Sequence, residues 1–113
     1  MYLEDFNSVD DLKKEYDITD ADLEGINILY AVYRIGSYEG QSLVLFEKDN
    51  KLFIVDANHC SCYGLEGQWS PDETNEAALK MEVKAKSKYH FDEFKSFIEF
   101  CTEYFKWGQD ATN

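Results

Sequence analysis

Apolar positions change their spacing along this chain three times, and each change marks a different element. In "SVDDLKKEYDI", Val9, Leu12 and Tyr16 share one face of a short helix, with Ser8 as its N-cap and Asp11 at capping-box distance. "TDADLEG" repeats the device over a single turn, opened by Thr19 and ended by Gly25. From Ile26 the texture becomes β-branched and aromatic: "INILYAVYRI", the turn-like "GSYEG", "QSLVLFEK", then "KLFIVDA" after Asp49 and Asn50. Asp-Asn between two apolar runs predicts a two-residue hairpin with both central residues at positive φ. The runs 28–33, 43–46 and 52–55 are apolar at both alternating positions, so both faces of this sheet are expected to be covered. Area left open on the second face would make a homodimer reasonable.

After an irregular stretch over 57–69, helical spacing returns. Ser70, Pro71 and Glu73 predict a helix start, with Ser70 as N-cap and Pro71 at the first helical position, running to about Lys86 through Ala77, Ala78, Leu79, Met81 and Val83. Its pattern is weak, and the "MEVKAK" end reads equally as a strand. A last helix is clearer. Phe91, Phe94, Ile98, Cys101 and Phe105 recur at helical spacing, Phe97 and Tyr104 widen the stripe, and Gly108 ends it. Phe100 and Trp107 fall away from the stripe's centre, toward other elements or a partner. The expected architecture is α+β, in a single domain over 1–113. It comprises an acidic helical N-terminus (1–25), a three-stranded antiparallel meander (26–56), a loop (57–69) and two helices packed on the meander (70–107).

Charge adds what periodicity does not. The chain of 113 residues carries a net charge of −12, and residues 1–24 alone hold nine acids against two lysines. Asp10, Asp11, Asp17, Asp20, Asp22 and Glu24 belong to this acidic stretch. Such a field repels nucleic acid and attracts basic surfaces, including those of proteins that handle nucleic acid. With a single arginine, Arg34, the chain lacks the basic footprint that phosphate neutralisation needs, so direct DNA or RNA binding is not expected. No apolar run approaches the roughly 20 residues of a membrane span, and no basic-then-apolar leader opens the chain. Three cysteines are a poor disulfide framework and suit a reducing compartment, so a cytoplasmic location is expected, that of the host if the chain is phage-encoded.

The stretch "DANHCSCYGLEGQWSPDE" concentrates the remaining candidate chemistry. His59, Cys60 and Cys62 could supply donors to zinc, with His90, Cys101 or Asp56 as a fourth. Neighbouring His59 and Cys60 on extended backbone point apart, which works against a shared ion. A thiolate nucleophile would need His59 or His90 beside Cys60 or Cys62, and no surrounding motif supports one. "GLEG" lacks the lysine and spacing of a phosphate-binding loop. The favoured reading is a packed loop in which Tyr63, Leu65 and Trp69 anchor against the sheet and the following helix. His59, Tyr63 and Gln68 are its expected outward members and a candidate contact surface. No catalytic residue and no cofactor are assigned.

The block "HCSCYGLEGQW" followed by "SPDET", after a hairpin ending "KLFIVDANH", resembles a family of small proteins found in bacteriophage and bacterial genomes. The resemblance covers about residues 20–80 and brings no established activity; it implies a phage-encoded or prophage-associated accessory protein. The acidic N-terminal stretch and the His59–Cys62 segment, read for themselves, point to two functions. One is an acidic interaction protein that binds and inhibits a basic or nucleic-acid-handling host protein, in the sharpest form as a DNA mimic or anti-defence factor. The other is a small metal- or ligand-binding module centred on His59, Cys60 and Cys62.

Overall fold

The computed structural model describes residues 2–4, 6–35, 39–60, 64–86 and 92–107. It divides into two compact units, Met1–Thr74 and Asn75–Asn113. The first holds strand β1 (Tyr2–Glu4), helix α1 (Val9–Tyr16), and strands β2 (Asn27–Ile35), β3 (Glu39–Lys48), β4 (Lys51–Cys60) and β5 (Asp72–Thr74). The second holds helices α2 (Glu76–Lys86) and α3 (Asp92–Tyr104). The α+β class stands. The expected three-stranded meander is the centre of a larger sheet, ordered β1-β2-β3-β4-β5.

The two added strands are short edges. β5 runs antiparallel to β4 at Leu52–Ile54, while β1 lies parallel to β2. A parallel neighbour needs a crossover connection, and α1 with the turn after it supplies one. The hairpin between β3 and β4 turns on Asp49 and Asn50 at φ 54° and 64°, the paired positive angles expected from sequence. β2 shifts register between Ile28 and Tyr30. Leu29 is thus the extra residue of a bulge, and Ile28 stays on the same core face as Ala31 and Tyr33. That change of parity is one reason the strand reads as apolar at both alternations.

On one face, Ala31, Tyr33, Val44, Phe46, Val55 and Ala57 meet Phe6, Leu12, Tyr16 and Leu65. The cover is therefore α1 and the loop before β5. Tyr30, Val32, Leu43, Leu45 and Ile54, which alternate with that set, are also buried within the single chain.

α1 begins after Ser8, but the Ser8 side chain makes no capping bond. Instead the Asn7 N–H donates to Asp11 Oδ2 at 2.8 Å. Leu12 and Tyr16 are fully buried, whereas Val9, expected on the same face, is 40% exposed. Below it, the Thr19 N–H donates to Asp22 Oδ2 at 2.9 Å, and the turn closes at Gly25 with φ 76°. This is the expected Thr-to-Gly single turn.

The expected helix start at Ser70 does not form. Asp72–Thr74 is strand β5, and α2 starts at Glu76, where Asn75 Oδ1 accepts the Ala78 N–H at 2.8 Å. Asn75 holds the cap that the pattern assigned to Ser70, because the residues between complete the sheet edge beside β4. The "MEVKAK" end is helical. In α3, Phe97 and Cys101 are buried as the stripe requires. Its end comes before Gly108, which lies outside the described residues with Phe91. Lys106 takes φ 58°, the Trp107 N–H reaches Thr102 O at 2.8 Å, and the Lys106 N–H reaches Glu103 O. This six-to-one and five-to-two pair closes the helix. Trp107 is buried within the helical unit, its Nε1–H donating to Glu76 Oε1 at 2.8 Å, its ring stacked on Phe105 and faced by the Lys80 ammonium.

Candidate functional site

The corner of the sheet around His59 is built by strand register. Gly40 of β3 stands opposite His59 of β4, and Ser42 stands between Tyr33 of β2 and Ala57 of β4. A Cβ on Gly40 would overlap the His59 imidazole at Nε2 and lie 2.7 Å from Cε1. The ring thus lies across the glycine, in space no other residue leaves open. There it meets Tyr33, whose hydroxyl is 2.6 Å from His59 Nε2, with the rings edge-on at 5.7 Å. His59 Nδ1 is 2.9 Å from Cys60 O. A carbonyl oxygen only accepts, so Nδ1 carries a proton; in the neutral imidazole Nε2 then accepts and the Tyr33 hydroxyl donates. Both ring nitrogens are engaged, and neither is presented to an ion in this arrangement.

Deeper on the same face, the Tyr16 hydroxyl donates to Ser42 Oγ at 2.8 Å, and both residues are buried. Burial raises the Tyr16 phenol well above its ordinary value, although the Ser42 bond acts the other way. Tyr16 also meets Trp69 edge-on at 5.2 Å, and Trp69 stacks on Phe46 at 5.7 Å. The loop is anchored by that indole and by the fully buried Leu65. Gln68 Nε2 donates to Gly64 O at 3.0 Å, and Glu66 Oε1 accepts the Gly64 N–H at 3.1 Å. Backbone donors from Glu66 itself and Gly64 hold the exposed Glu66 carboxyl below its usual range. Leu65 and Trp69 thus act as anchors, as the packed-loop reading has it. The anchor lies on the sheet, α1 and Phe46, while no helix begins at Ser70.

Of the expected outward members, His59 and Gln68 are half-buried and turned into local hydrogen bonds, and Tyr63 lies outside the described residues. Cys62 and His90 also lie outside them. Cys60 is exposed at the end of β4, and Cys101 is buried in the helical unit, where burial pushes its thiol up to about 12. Asp56 is exposed on β4. Among the described residues, no group of three His, Cys, Asp or Glu side chains is arranged to hold a metal ion. Nor is any helix among them long and apolar enough to cross a membrane.

The acidic candidates gather on α1 and the turn that follows. Asp10 and Asp20 flank Lys13, their side chains 86% and 90% exposed, and the Asp20 bond raises the Lys13 ammonium above its ordinary value. Asp11 and Asp22 hold backbone donors, so part of their charge serves local structure. The carboxylates of Asp17 and Glu24 are exposed and engage no partner among the described residues. Sixteen acids against five basic residues fall in 1–74, and seven against six in 75–113, giving −11 and −1. Nearly all the net charge therefore belongs to the sheet unit.

Sequence reasoning found the acidic stretch and the loop anchors but missed Tyr33, Gly40, Tyr16 and Ser42. Gly40, read from sequence as part of the turn-like "GSYEG", lies inside β3, where a glycine marks a bulge or a close approach. Set against family models, curated proteins and solved structures, the chain matches none.

Proposed function

We propose that this protein is an acidic interaction module that binds and inhibits a basic or nucleic-acid-handling protein, with its sheet unit as the steering surface. The observation that carries this reading is the charge division: −11 on residues 1–74 and −1 on residues 75–113. A field of one sign raises encounter rates with a complementary surface and repels nucleic acid. The exposed carboxylates of α1 and its following turn are the contact residues, led by Asp10, Asp17, Asp20 and Glu24. If the resemblance read in the block from His59 to Trp69 holds, the target is a host protein, met in the host cytoplasm. Competition with nucleic acid for that target is the DNA-mimic form of the proposal, which needs about one charge per 1.7 Å along the contact face.

The test is affinity capture from host extract over graded salt, beside a variant carrying Asp10→Asn, Asp17→Asn and Glu24→Gln. These carboxylates hold no backbone donor, so the fold should tolerate their neutralisation. Capture should weaken steeply with salt, weaken further in the variant, and be displaced by duplex DNA if the mimic form is right. Undiminished capture at about 1 M salt, where the screening length is only about 3 Å, would remove the electrostatic reading.

A further inference from the structure

We draw no further inference here: the strongest candidate, the aromatic patch at the end of α3 made by half-buried Phe100, exposed Tyr104 and, in the turn that follows, half-buried Phe105, has nothing in the structure to show what covers it.

Discussion

Two tyrosine hydroxyls illustrate how single atoms hold the sheet unit together. Tyr33 and His59 meet only because Gly40 has no side chain beneath the imidazole. Replacing Gly40 with Ala forces the ring away and breaks the bond, at a cost of about 1–3 kcal/mol once the displaced groups are counted. In a His59→Ala background the same change should cost much less, because the space is already open. Denaturant unfolding of the four proteins of this cycle measures the coupling, and additive effects would show that the ring does not depend on Gly40. Tyr16 carries a different consequence. Its phenol is raised in the folded state, so the unfolded chain ionises first, near pH 10. The associated stability is fully present below about pH 10 and is lost as pH rises further. Cys101 acts in the same direction from nearer pH 9, toward its folded value of about 12. Tyr16→Phe should lower stability at neutral pH by about 1 kcal/mol, since Ser42 loses its buried partner, yet show a shallower alkaline decline. Equal slopes for the two proteins above pH 10 would rule out Tyr16 as a source of that decline. None of these contacts was legible from sequence: His59 and Gly40 lie far apart in the chain, and only register brings them together.

Elements with a local signal were readable, and those created by pairing were not. The β3–β4 hairpin is written in Asp49 and Asn50, which accept positive φ, and the α3 stripe is written in Phe97 and Cys101. β1 and β5 are three residues each, too short for periodicity, and exist because β2 and β4 offer edges. Ser70, Pro71 and Glu73 fit a capping box so well that the pattern concealed β5, and the cap fell to Asn75. The helix ends also departed from the glycine rule. α1 closes with Asp17 in the left-handed region, its N–H reaching Lys14 O while the Ile18 N–H reaches Lys13 O. A side chain in that conformation costs about 1–2 kcal/mol, and an acid at a helix C-terminus opposes the dipole. Asp17→Gly should therefore stabilise the protein by roughly 1 kcal/mol, seen as a higher thermal midpoint. An unchanged or lower midpoint would mean that the Asp17 carboxylate supports the fold. If Asp17 is instead kept for binding, the same variant should be more stable and bind its partner less well.

At the scale of the whole molecule, the charge that steers association also works against the fold that carries it. Sixteen acids and five basic residues share residues 1–74, and the ion pairs seen among the described residues are exposed ones: Lys13 lies between Asp10 and Asp20, and Lys51 lies 3.7 Å from Glu73. Exposed pairs of this kind contribute only about 0–1 kcal/mol each, too little to offset repulsion across the unit. The unfolded chain spreads the same charges apart, so screening favours the compact state. Thermal midpoint should therefore rise from low salt to physiological salt and beyond, in a non-binding salt such as NaCl. The variant Asp10→Asn, Asp17→Asn, Glu24→Gln should start from a higher midpoint at low salt and gain less, because part of the repulsion is gone. Partner capture should follow the opposite course, weakening as salt rises. A protein whose charge served solubility alone would show the stability response without the binding response. A midpoint independent of salt in both proteins would mean that the acids lie too far apart to repel, and a surface that dilute could not steer a basic partner either.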